Sequence, residues 1–166
     1  MNKKFTLLLS LVFVFCFLTN ISVSAAPFTD YSVNSSNSYI EYLDDGSYFV
    51  ITLESNDGTA TLSTNKVGTK TTTYYSSSNV ALCALTISAT FSYDGSTVSC
   101  VGTQYKTYSY DDEWSVENIV TSRNNSSTTK ASATASGNFV MRSLGIKVKS
   151  IPTSTTIYCD KNGTLS

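Results

Sequence analysis

The chain has 166 residues, 14% charged, 41% apolar and 12% aromatic, with no His, four Cys, two Pro and a formal net charge of −1. Without imidazole there is no Ser-His-Asp triad, no Cys-His dyad and no His-ligated zinc, so any chemistry falls to carboxylates, amines, hydroxyls or thiols. A near-neutral balance with scattered lysines lacks the field that neutralises phosphates, and nucleic acid is excluded as an expected partner.

The first 25 residues read as a cleaved signal peptide. Lys3 and Lys4 form a positive start, Phe5 to Leu18 is an apolar run broken only by Thr6 and Ser10, and Val23-Ser24-Ala25 places small residues ahead of Ala26. A run of this length falls short of the roughly 20 residues a membrane span needs, and no later stretch resembles one, so no membrane association is expected after cleavage. Cys16 lies behind Val14 and Phe15, where a lipid-attachment motif would need small residues. Cleavage would leave 141 residues with nine basic and twelve acidic side chains, a net charge of −3, and localisation in the extracellular medium. About a third of these residues are Ser or Thr, a usage that suits exposed β surfaces, because β-branched Thr fits a pleat while staying polar.

Residues 26–38 are polar and without period, an expected flexible arm. From 39 to 166 the pattern is that of one all-β domain. Tyr39–Leu43 and Tyr48–Leu53 flank Asp44-Asp45-Gly46-Ser47 and predict an N-terminal β-hairpin. Turn chemistry at Asn56-Asp57-Gly58 leaves the register of 54–69 open, and Lys70–Tyr75 reads as a strand. The clearest signal is Cys83, Leu85, Ile87, Ala89, Phe91 and Tyr93 alternating with small or polar residues, a period of two that means strand. A two-residue turn at Asp94-Gly95 would set Tyr93 opposite Ser96, Phe91 opposite Val98 and Ala89 opposite Cys100. Further strands are expected at 104–110, 115–122, 128–135, 138–142 and 146–159, with Pro152 confining the last to a sheet edge or a bulge. Asp111–Trp114 has the composition of a single helical turn. Short strands with frequent turns predict an antiparallel β-sandwich of Ig-like or Greek-key type.

Three cysteines follow the cleavage point. Cys100 and Cys159 each share a strand face with an apolar neighbour two residues back, Val98 and Ile157, and are the expected disulfide, with Cys83 a buried thiol. The alternative is that all three are unpaired and buried.

The signal peptide, the segment Ile40-Glu41-Tyr42-Leu43-Asp44-Asp45-Gly46-Ser47-Tyr48 and a Ser/Thr-rich β domain ending Ile157-Tyr158-Cys159-Asp160-Lys161-Asn162-Gly163 together resemble small secreted proteins of low-GC Gram-positive (clostridial) bacteria. The resemblance implies a compartment and a source; it transfers no catalytic residue.

Tyr108 and Tyr110, at spacing two, form an aromatic face that can stack on sugar rings or on a protein, with Trp114 either joining them or plugging the core. The ligand expected is a cell-surface glycan or protein. Asp111 and Glu113 share a face and are the carboxylates a glycan hydrolase would use, against the simpler reading of a charged turn before a buried Trp. Neither that cluster nor Asp44-Asp45-Gly46 has the spaced oxygen ligands of a calcium loop, and no metal or other cofactor is expected. Ser63-x-x-Lys66 and Ser127-x-x-Lys130 have the spacing of Ser-Lys acyl-enzymes without their companion motifs. The expected protein is therefore a noncatalytic extracellular binding module; a carboxylate-dependent hydrolase and a self-assembling structural protein, joined through an exposed edge or Cys83, are the alternatives.

Overall fold

The computed structural model describes residues 37–56 and 64–166; the signal-peptide segment and residues 26–36 lie outside them. Eight strands follow in chain order: β1 (Ser38–Tyr42), β2 (Tyr48–Asn56), β3 (Thr64–Tyr75), β4 (Ala81–Tyr93), β5 (Val98–Ser109), β6 (Trp114–Asn124), β7 (Lys130–Ser143) and β8 (Ile146–Asp160). Ser38, expected in the arm, is the first residue of β1. β1 to β5 form a five-stranded antiparallel sheet and β6 to β8 a three-stranded one, packed as an open sandwich.

Strand order in both sheets is chain order, so each is a meander, and the Greek-key connection expected of an Ig-like sandwich is absent among the described residues. Where the described connections are short, as between β1 and β2, β3 and β4, and β7 and β8, the loop can only return the chain beside itself. Gly46 at φ +79° and Asn79 at φ +62° supply the left-handed positions for two of these turns.

β4 is the spine of the core. Cys83, Leu85, Ile87, Ala89 and Phe91 all point into the sandwich, and each is at most 1% exposed. Across from them β7 offers Ala131, Ala133 and Ala135, small enough for the sheets to approach, and then Phe139, whose ring lies 6.0 Å from Phe49 and 6.1 Å from Tyr74. Where β3 crosses β8 the gap closes further. A Cβ on Gly68 would stand 2.3 Å from Ile157 Cδ1, so only Gly fits there.

The hairpin after β4 departs from expectation in register. Tyr93 faces Val98, Phe91 faces Cys100 and Ala89 faces Thr103. The Asp94 carboxylate accepts the amide N–H groups of Ser96 (2.8 Å) and Thr97 (2.7 Å), which extends the turn to residues 94–97. A bulge opposite Thr90 and Phe91 then adds Val101 as an extra residue. Tight two-residue geometry is found instead at Leu144-Gly145, both at positive φ, between β7 and β8. The two strands expected at 128–135 and 138–142 are one, β7, which starts at Lys130, because Ser136 and Gly137 continue the pairing. Asp111–Trp114 is a turn closed by Trp114 N–H to Asp111 O (3.0 Å), not a helix.

Pro152 lies on β8, an edge strand of its sheet among the described residues, as expected. The Cys100–Cys159 disulfide is not formed. Both are buried free thiols, as is Cys83. The sulfur of Cys100 donates to Gly102 O (3.5 Å) and that of Cys159 to Asp160 O (3.4 Å), each a weak local bond within its own strand. Burial pushes the Cys159 thiol up to about 11 and Cys83 to about 12, which leaves little of the thiolate that disulfide formation requires.

Phe139→Ala would empty a site closed on every side, and an expected loss of about 3–5 kcal/mol is measured by urea unfolding. The three thiols should be silent to a thiol reagent in the native protein and all react once it is unfolded; fast reaction of the native protein would contradict their burial.

Candidate functional site

β-strand alternation sends the even residues of β4 outward, and with them one face of the five-stranded sheet. The paired registers place Thr71 beside Thr86, and Thr69 beside Ser88. Their side-chain oxygens bond across the strands at 2.9 and 3.0 Å. The result is a carpet of hydroxyls, flanked by Glu54 on β2 and Lys106 on β5 and bordered by Tyr108 and Tyr110. The shallow trench above it has a volume of about 420 Å³.

The sequence-predicted aromatics divide here. Tyr108 (44% exposed) and Tyr110 (56%) stand on the outer surface, with rings within 7° of parallel and centroids 6.2 Å apart. Trp114 does not join them. At 7% exposure it is a core residue, its ring 5.1 Å from Tyr74, because β6 begins the second sheet and Trp114 is its first inward position.

Three tyrosines that sequence reasoning missed extend the pair. Tyr42 on β1 pairs in register with Tyr48 on β2, which pairs with Tyr75 on β3. Tyr42 and Tyr48 meet at 5.5 Å and 47°; Tyr48 and Tyr75 lie 5.0 Å apart within 2° of parallel. Rings that close cannot lie side by side in one plane, so their faces are turned on each other and they offer solvent their edges and hydroxyls. Tyr110 is the electrostatic neighbour of both Tyr75 and Tyr108, which joins the two groups into one row: Tyr42, Tyr48, Tyr75, Tyr110, Tyr108. The centre of the row is half-buried, while the ends are open. The signal that could have found it is the spacing-two series Thr69, Thr71, Thr73, Tyr75, which becomes legible once β3 is known to run from Thr64.

Burial is the first cause that raises the hydroxyl pKa of Tyr48, Tyr75 and Tyr110, and neighbouring tyrosines add to it. All three stay neutral hydrogen-bonding groups at physiological pH. Tyr48 uses its hydroxyl to bond Asn79 Oδ1 at 3.2 Å, which anchors the middle of the row.

Of the two carboxylates proposed for hydrolysis, that of Asp111 is engaged in a turn, and Glu113 takes part through its backbone. Asp111 Oδ1 accepts the Glu113 N–H (2.9 Å) inside the turn between β5 and β6, and the Glu113 carbonyl accepts the Arg142 N–H (2.8 Å). Asp45 accepts the Ser47 N–H and hydroxyl and the Lys149 ammonium, the last at 2.6 Å, and these bonds hold its carboxyl well below the usual range. No group of three acidic, Cys or His side chains that could hold a metal occurs among the described residues. Ser63 lies outside those residues. Lys130 turns from Ser127 to sit 4.2 Å over the Tyr158 ring, and the Ser127 hydroxyl bonds Thr129 at 3.1 Å.

No family model, curated protein or solved structure matches this chain. The geometry of the tyrosine row and its trench carries the functional reading.

Because folding raises the pKa values of Tyr48, Tyr75 and Tyr110 above those of the unfolded chain, their contribution to stability is intact below about pH 10 and is lost as pH rises through the raised values. The melting temperature should fall above about pH 10. Part of the phenolate absorbance should appear only with unfolding. A melting temperature flat through that range would show that the row is not coupled to the fold.

Proposed function

We propose that this chain is a noncatalytic, extracellular binding module that uses the outer face of its five-stranded sheet to hold a cell-surface glycan. The observation that carries the reading is the open pair Tyr108 and Tyr110 at the border of a trench floored by Thr and Ser hydroxyls. Aromatic rings supply apolar contact to the C–H face of a sugar, and paired hydroxyls supply donors and acceptors at fixed spacing. One acid and one base on the trench, Glu54 and Lys106, leave it nearly neutral, which suits a ligand bound by hydrogen bonds rather than by charge. The signal-peptide pattern supports delivery outside the cell.

The test is co-sedimentation with purified cell walls and insoluble polysaccharides. Saturable binding is expected, weakened at least about tenfold by Tyr108→Ala and by Tyr110→Ala. Both positions are exposed, so folding stability should move by only about 0.5 kcal/mol. Trp114 emission should not shift on binding, since that ring reports on the core. Absence of binding to every wall and polysaccharide preparation would sink the glycan reading.

A further inference from the structure

On the inner side of the sandwich, away from the tyrosine row, the smaller sheet leaves part of the larger one uncovered. Between the inner face of β1 to β3 and strand β8 lies a cleft of about 390 Å³. Phe49 and Ile51 lie on its floor and Tyr39 on a wall, while residues 152–156 of β8 form the facing side. Five consecutive residues point alternately to opposite faces of a sheet, so they can border one cavity only along the edge of their strand.

The hydrogen bonds of β8 say which edge this is and what it offers. The chain's last residues pair with β8 on the side away from β7: Tyr158 N–H donates to Ser166 O (2.8 Å), Ser166 N–H to Tyr158 O (3.1 Å) and Asp160 N–H to Thr164 O (3.0 Å). The backbone groups of even-numbered residues therefore face outward, and no register shift interrupts β8 between 152 and 158. Ser154 and Thr156 turn an N–H and a C=O each to the cleft, and Pro152 turns its donorless nitrogen the same way. Among the described residues, β7 and the 164–166 tail are the strand neighbours of β8, and the tail stops short of this stretch.

Opposite charges mark the two ends. Glu41 lies in register with Phe49 and Tyr74, and Lys70 with Leu53, four steps along β3, or about 13 Å at strand rise. The ion pairs Arg142–Glu117 and Lys149–Asp45 use neither. Burial lowers the pKa of the Lys70 ammonium, an added reason for it to take an anionic partner.

We propose that this cleft binds an extended peptide as an added strand on β8, about four residues long, with its carboxylate at Lys70 and its amine at Glu41. Strand addition supplies main-chain hydrogen bonds at Ser154 and Thr156, and the apolar floor takes alternate side chains. The charge order runs the peptide parallel to β8, since Thr72 bonds Thr155 across the layers at 2.8 Å and Gly68 faces Ile157, which fixes the direction from Glu41 to Lys70 as that of rising β8 numbers. This cleft and the tyrosine row lie on opposite faces of the larger sheet, so either can fail alone.

The probe is the tetrapeptide Val-Thr-Val-Thr with free termini, titrated into the isotopically labelled protein and followed by amide chemical shifts. The expected shifts centre on Ser154 and Thr156. Amidating the peptide's C-terminus should weaken binding about tenfold, Lys70→Met should do the same, and the two changes together should cost no more than either. The amidated peptide needs no variant, so the test survives a Lys70 substitution that fails to fold. Ser154→Pro removes an outward donor without touching the β7 ladder and should also weaken binding. Unchanged affinity after amidation, shifts located elsewhere, or an oligouronate perturbing these amides at lower concentration than the peptide would each overturn the proposal. So would sedimentation showing that a second copy already occupies the edge.

Discussion

The odd-numbered face of β4 must be buried completely, and the rest of the molecule arranges itself to meet that constraint. Cys83 to Phe91 is the most apolar run of the described chain, and a strand of this composition needs neighbours on both edges and a layer above it. β3 and β5 supply the neighbours; the alanine series of β7 supplies the layer at short range, and Gly68 lets the next crossing close to contact. Polar links between the layers are few but buried or shared, as in the Thr72–Thr155 hydroxyl pair and the Lys149 ammonium, which bridges Asp45 and the Tyr74 hydroxyl.

Satisfying the inner face leaves the outer one to be managed. An exposed sheet of this breadth, if apolar, would invite association, and the chain covers it with cross-bonded Thr and Ser instead. The tyrosines are concentrated at one end, where β1, β2 and β3 come into register and β5 runs on past the trench. Stacking gives the row a fixed geometry, and a surface that is already ordered loses little conformational entropy when it meets a ligand.

How much of this the chain announces depends on whether a residue's partner is near in sequence. The alternation of 83–93 identified β4 because burial there repeats every second residue, and Pro152 marked an edge strand because its missing donor has only one place to go. The hairpin register after β4 differs from that of a two-residue turn for a local reason, since the Asp94 carboxylate lengthens the turn in a way that the Asp-Gly pair does not advertise. Trp114 and the Cys100–Cys159 pair were harder still. Whether Trp114 faces solvent depends on which sheet β6 joins, and whether two thiols bond depends on their orientation across a gap between layers; neither follows from spacing along the chain. Tyr108 and Tyr110 were legible as a pair, while Tyr42, Tyr48 and Tyr75 entered the site only through three separate strand registers.

The unequal sheets have a final consequence. Three strands cannot roof five, so the deficit falls at the β1–β2 side of the larger sheet, next to the edge of β8. A chain under pressure only to fold would fill that side with large apolar residues or seal it with a further strand. Here the inner positions of the open side include Glu41 and Lys70 beside Phe49 and Ile51 on the same sheet face, with Glu41 directly opposite Phe49 in register. Charges at two ends of an apolar-floored cleft are poor material for closing a core, because each must keep its hydration or find a counter-charge. They are suitable material for receiving something that brings its own charges. Among the described residues, the same short sheet that exposes the cleft also leaves the outer backbone groups of β8 without a strand neighbour there, so the free edge and the open space arise from one topological fact.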